Sequence, residues 1–224
     1  MDLYPWVPLR FADATPYAID GTATAAAGSG DAIAWTINNP GAFPSDYPSR
    51  ADGLVWPAGY GLPAGASLTA LGSGGWLPVF RLVTALVTLP AAQANVWAAV
   101  GLGDQDGEAD AGSCRILLGG VRHTASGRLS LATRRNADLV SSANESSADT
   151  YDVLINADNR RLNRVTTSGL SPAGNSSDVS QTEASTYDLA SMRIAMYAGA
   201  DSTTGTGPHA LTVTAYVRWL PMLP

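Results

Sequence analysis

The sequence predicts an all-β chain, an antiparallel sandwich preceded by a loop-rich segment, and three observations carry that prediction. From residue 76 onward, runs rich in β-branched and aromatic residues recur, most of them bounded by glycine, asparagine, aspartate or proline. One run, LTVTAYVRW, alternates with a period of two. Leu211, Val213, Ala215, Val217 and Trp219 fall on one side and Thr212, Thr214, Tyr216 and Arg218 on the other, the pattern of a half-buried strand. No stretch offers a convincing amphipathic helix longer than three turns. With 224 residues the chain can bury one sizeable core.

In chain order, residues 1–75 come first and read as a loop-rich region dense in proline, glycine and alanine, as in NNPGAFPSDYP and WPAGYGLPAG. Short strands such as AIAWTI (32–37) are expected within it. The first 76 residues nevertheless hold ten of the seventeen aromatics, including Trp6, Trp35, Trp56 and Trp76, so this region must bury them against something. Its opening, MDLYPWVPLRF, has two prolines and no helical period. Tyr4, Trp6, Leu9 and Phe11 make it too apolar to favour solvent. They are the candidate partner-binding residues of an extended arm that docks on another subunit, or folds back on its own domain.

Residues 76–224 are expected to form the sandwich, of jelly-roll type. The candidate strands are LPVFRLVTALVTL, NVWAAVGL, SCRILLGGVRH, GRLSLATRR, TYDVLINAD, RRLNRVTTS, SMRIAMYAG and HALTVTAYVRWL. YDVLINADNRRLNRV reads as a hairpin with Asp158 and Asn159 near its turn, since both residue types tolerate left-handed backbone. From 76 to 220 the strand rhythm resembles that of the concanavalin A-like (lectin and glucanase) family: a long strand at 79–89, NVWAAVGLGD, a loop, RILLGGVRH, the hairpin, and a closing MRIAMYAG and ALTVTAYVRW. It is similar as well to the β-rich structural proteins of tailed phages, which reuse such sandwiches.

The connection GLGDQDGEADAG places acids at every second position: Asp104, Asp106, Glu108 and Asp110. Lying between two strands, the acids sit in a loop, where they read as a solvated hairpin tip or as a calcium site, since calcium takes six to eight oxygens. An EF-hand is disfavoured: counting from Asp104, Ala109 occupies the sixth position and Arg115 stands where the bidentate glutamate belongs. The glucanases of the family that the chain resembles use an E-x-D-x-x-E strand. Here Glu108 and Asp110 match, but Ser113 replaces the second glutamate. Glu145 and Glu183, the other glutamates, lie in serine- and threonine-rich stretches, so a two-carboxylate hydrolase is disfavoured.

Other chemistries find no constellation. His123 and His209 have no metal spacing around them, no G-x-S-x-G is present, and the glycine-rich GSG (28–30) and GSGG (72–75) lack a phosphate-binding lysine. Cys114, the single cysteine, reads as a small buried side chain. In VWPAGYGLP, Trp56 and Tyr60 could stack on a sugar face, because flat rings give contact area at low entropic cost, or could pack down on the sandwich.

All thirteen basic residues are arginine and the net charge is −6, without a basic stripe, so nucleic acid is not an expected partner. No apolar run reaches the roughly 20 residues of a membrane helix. The N-terminus lacks a cationic segment ahead of an apolar core, so export by a secretory signal is not expected. Together with the absence of a catalytic constellation, these features lead to the expectation of a non-enzymatic phage virion structural or attachment protein. Such a protein is assembled in the host cytoplasm, forms a homo-oligomer, contacts other virion proteins and needs no cofactor. The alternative is a carbohydrate-binding lectin-like module, whose ligand would be a glycan such as one on a host surface.

Overall fold

The computed structural model describes residues 3–17, 23–38, 53–66, 76–86, 95–104, 116–123, 129–135, 138–146, 150–156, 161–166, 178–179, 192–201 and 208–221. These form two antiparallel sheets packed face to face, an all-β sandwich of jelly-roll type. The elements are β1 (Val7–Pro8), a 3-10 turn η1 (Phe11–Asp13), β2 (Thr15–Tyr17), β3 (Ala23–Ala27), β4 (Ile33–Ile37) and β5 (Gly53–Val55). Next come β6 (Trp76–Leu86), β7 (Asn95–Asp104), β8 (Ile116–His123), β9 (Leu129–Arg135) and β10 (Asp138–Ser146). The chain closes with β11 (Thr150–Asn156), β12 (Arg161–Thr166), β13 (Asp178–Val179), β14 (Met192–Asp201) and β15 (His209–Pro221).

One sheet runs β13-β12-β11-β6-β15-β4-β3, with β1 also on β15; the other runs β10-β9-β8-β7-β14-β5-β2. β15 is the spine of the first. It pairs with β6 over its whole C-terminal stretch, from Leu211↔Leu86 to Pro221↔Trp76. On its opposite edge it pairs with β4 from His209↔Ile37 to Val213↔Ile33, and then with β1 at Tyr216↔Pro8 and Val217↔Val7. The N-terminal arm therefore occupies the part of that edge which β4 leaves open.

The alternation expected of LTVTAYVRW is seen directly. Leu211, Val213, Ala215, Val217 and Trp219 are buried while the intervening residues are partly exposed. The inner face also takes Ile33, Trp35 and Ile37 from β4 and Phe80 and Leu82 from β6. Against it pack Leu54 of β5, Val96, Ala98 and Val100 of β7, and Ile194, Met196 and Ala198 of β14. β14 is buried on both faces, since Ala195 and Tyr197 are covered as well; such a strand reads as a continuous apolar run. The hairpin expected at YDVLINADNRRLNRV is the antiparallel β11–β12 pair, closed by Asn156↔Arg161. Asp158 and Asn159 fall outside the described residues.

Residues before 76 supply β1 to β5, shared between both sheets. Strands of two to five residues, two of them containing proline, carry too little pattern to announce themselves. Pro8 and Pro16 are tolerated because β1 and β2 lie at sheet edges, where a missing N–H breaks no ladder.

Candidate functional site

Three clusters concern the residues singled out by sequence: the arm with its groove, the loop that follows β5, and one patch on the outer face of the first sheet. The arm lies along its own domain. Leu9 is fully buried and donates its N–H to the Ala215 carbonyl at 2.8 Å. Phe11 is half-buried against the core cluster, and the Tyr4 ring meets Trp76 edge-on at 5.8 Å between centroids. Of the arm's described large apolar residues, Leu3 is the exposed one. Arg10 ends the arm with an exposed ion pair, Nε to Asp31 Oδ1 at 3.0 Å.

The β5-following loop, residues 56–66, closes the sandwich beside the arm. The Trp56 backbone N–H donates to Ile194 of β14 at 2.9 Å, and its indole Nε1–H donates to the Arg10 carbonyl at 3.0 Å. Its ring is 0 % exposed. Trp56 therefore offers no face to a sugar; it joins the arm to the second sheet. Tyr60 is half-buried, and its hydroxyl lies 2.8 Å from Asp13 Oδ2 and 3.0 Å from the Pro8 carbonyl oxygen, so its one proton is shared between two acceptors. Trp219 of β15 in turn donates Nε1–H to the Tyr60 carbonyl at 3.0 Å. Gly61 makes this approach feasible. Its φ is +75°, and a Cβ there would stand 3.0 Å from Val217 Cγ1 and 3.3 Å from Val7 Cβ.

Burial, and then the Asp13 carboxylate that accepts its hydroxyl, push the Tyr60 phenol up to about 12 from the ordinary 10.0. A phenol raised in the folded state favours folding fully below pH 10, and that contribution disappears as pH climbs through about 12. Tyr60→Phe is expected to lower stability at pH 8 by about 1–2 kcal/mol, since a hydrogen bond to a charged acceptor is lost. It is also expected to flatten the alkaline decline between pH 10 and 12. Melting curves of both proteins across that range check this; parallel declines would show that Tyr60 does not carry the alkaline sensitivity.

The third cluster brings Trp6 of the arm together with the outward residues of LTVTAYVRW. On β15 and β6 the residues that alternate with the core face outward: Thr212, Thr214, Tyr216 and Arg218, with Val79, Arg81, Val83 and Ala85. Tyr216 is the register partner of Arg81, and Arg218 of Val79. Trp6 of the arm lies here, half-buried, with the Arg81 guanidinium carbon 4.4 Å and that of Arg218 5.5 Å from its ring centroid. Arg218 Nε also donates to the Tyr4 carbonyl. Cation–π contact of this kind holds the ring in one pose. The signal was present in the alternation of LTVTAYVRW, but sequence does not say that Trp6, some two hundred positions away, returns to it.

Of the acidic run, Asp104 ends β7 and pairs in register with Met192, and Asp106, Glu108 and Asp110 lie outside the described residues, as does Cys114. Glu145 lies in β10, opposite Ser130. Among the described residues, no three His, Cys, Asp or Glu gather as a metal-ligand group, and no helix is long and apolar enough to cross a membrane.

No protein-family model and no curated relative matches the chain. Solved structures do. A family 7 alginate lyase, A1-II′, in complex with a substrate is similar at 13 % identity over 88 % of this chain and 81 % of that one, TM-score 0.48. The same lyase with a product gives 14 % identity over 87 % and 82 %, TM-score 0.47. A lectin from Bauhinia forficata in complex with GalNAc gives 12 % identity over 97 % and 99 %, TM-score 0.43. These are sandwiches of the concanavalin A-like jelly-roll kind, the architecture that the strand rhythm resembles. They correct the expectation of a non-enzymatic phage virion protein. The solved structures named here are a family 7 alginate lyase and a lectin.

Proposed function

We propose that this chain binds carbohydrate in the manner of a lectin-type module, through the outer face of the β6–β15 sheet where the arm crosses it. One observation supports the reading above the others: Trp6 is a half-buried ring on this face, with the Arg81 and Arg218 guanidinium groups 4.4 Å and 5.5 Å from its centroid and Tyr216 in register with Arg81. A flat ring packs against the apolar face of a pyranose at low entropic cost. Arginine forks and the hydroxyls of Tyr216, Thr214 and Thr212 can exchange hydrogen bonds with sugar hydroxyls along the same strand. In this reading the sugar-facing role, one of two open to Trp56 and Tyr60 by sequence, falls to Trp6 and Tyr216.

Titration of the purified chain against neutral and acidic oligosaccharides, by calorimetry, tests this. Binding is expected, with Trp6→Ala and Tyr216→Ala each weakening it by about tenfold, the scale of one lost aromatic contact. Tyr216→Ala is the cleaner probe, because Trp6 also anchors the arm. Following the length of a bound polysaccharide during the titration separates retention from cleavage. Absence of binding across the panel, or binding that both variants leave intact, would overturn the proposal.

A further inference from the structure

His209 is 2 % exposed, and neither Nδ1 nor Nε2 has a hydrogen-bond partner. It opens β15 on the core side, in the alternation continued by Leu211 and Val213, and its register partner is Ile37, the last residue of β4. Two positions along, Leu211 pairs with Trp35, whose buried indole N–H is also unpartnered. An imidazole placed this way tolerates its neutral form. Protonation would leave a buried cation without a counter-charge.

The surroundings supply none among the described residues. Inward positions of β4 are Ile33, Trp35 and Ile37; on β3, Ala23 and Ala25 pack there; β14, facing β4, offers Ile194, Met196 and Ala198. β7, which β15 faces, offers Val96, Ala98 and Val100, and β5, beside β3, offers Leu54. The charged side chains described on these elements and on β6 lie elsewhere, with Arg81 of β6 against Trp6 on the outer face. Arg193 alternates with Ile194 on the outer side of β14, Asp31 sits at the β3–β4 turn with Arg10, and Asp13 of η1 accepts the Tyr60 hydroxyl.

The mechanical context gives the histidine leverage. β3 and β4 form a hairpin at the end of the first sheet, joined to the body by five register pairs of β4 with β15. The His209↔Ile37 pair terminates that ladder. We propose that His209 is an acid-sensitive latch: protonated, it releases the β3–β4 hairpin from β15 while the rest of the sandwich stays paired. The inference is independent of the carbohydrate reading.

Burial holds the imidazole below its ordinary value of 6.5. A group depressed in the folded state leaves stability intact above about pH 6.5 and withdraws it as pH falls below, by about a decade in the opening equilibrium per pH unit until the folded value is reached. Opening of one peripheral unit ahead of global unfolding is the ordinary behaviour of a sheet edge.

The test is amide hydrogen exchange of the full chain at pH 7.5 and 5.5, expressed as protection factors so that the intrinsic pH dependence cancels. Residues 33–37 are expected to lose about tenfold more protection than residues 96–100 in the wild type, and to lose no such excess in His209→Leu. His123→Gln is expected to behave as wild type. In parallel, the carbon-bound ring protons of His209, followed by NMR in the unmodified chain, are expected to titrate below 6.5. An equal loss in wild type and His209→Leu, a loss shared evenly by both sheets, or a ring that titrates at or above its ordinary value would each overturn the latch.

Discussion

Deleting residues 1–11 is expected to lower the melting temperature of the monomer by roughly 8–16 °C, which makes the arm a structural part of its own domain. Leu9 is fully buried, and Trp6, Val7 and Phe11 are half-buried. A large apolar side chain taken wholly from water contributes about 1.5–3 kcal/mol, so Leu9 at full weight and the other three at half weight contribute at least about 4 kcal/mol. For a chain of this length each kcal/mol moves the midpoint by about 2–4 °C. The deletion also strips partners from groups that stay behind. Trp56 would lose the Arg10 carbonyl that accepts its indole N–H, Tyr60 would lose Pro8, and the β15 edge at Tyr216–Val217 would be uncovered. An uncovered edge invites pairing with another chain, so the truncated protein should also associate at higher concentration. Thermal melts and sizing of the truncated chain decide the matter: a normal midpoint would place the arm's groove on a partner instead. Leu9→Ala, which keeps the backbone pairing, is expected to recover about half of the loss.

That experiment bears on what the sequence could and could not disclose. Where a strand is long and one face is buried, as in β15, the period of two is enough to name both faces. Pairing is legible as well for hairpins whose two strands adjoin in sequence, such as β11–β12 and β7–β8. It fails for β1, β2 and β5, which are two or three residues long and exist because a partner far along the chain accepts their hydrogen bonds. Pro8 and Pro16 argue against strands locally and are harmless at an edge. The outer-face patch was hidden for the same reason: Arg81, Tyr216 and Arg218 are unremarkable in their own strands, and only the pairing of β1 with β15 brings Trp6 to them. The acidic run shows the opposite limit. Its spacing is legible at a glance, but spacing without backbone geometry leaves a turn and a cation site equally well described.

Trp56 puts the distinction between a packing ring and a binding ring to direct measurement. Trp56→Ala is expected to destabilise the chain by about 3–5 kcal/mol, or roughly 6–20 °C, because a large ring leaves a cavity that the surrounding sheets fill only in part. The loss includes the bond to the Arg10 carbonyl, which ties the arm to the loop. Trp56→Phe separates the two terms. It keeps most of the apolar contact and forfeits the N–H, so it should cost about 1–2 kcal/mol, the net value of one hydrogen bond plus a modest loss of volume. A ring that served a ligand would behave differently: its removal would spare the melting temperature and abolish binding. Midpoints of the two variants within about 2 °C of wild type would therefore contradict the burial of Trp56 and restore it as a candidate sugar platform. The expected ordering, alanine far below phenylalanine and phenylalanine below wild type, instead fixes Trp56 as the pin through which β14, the loop and the arm are held together.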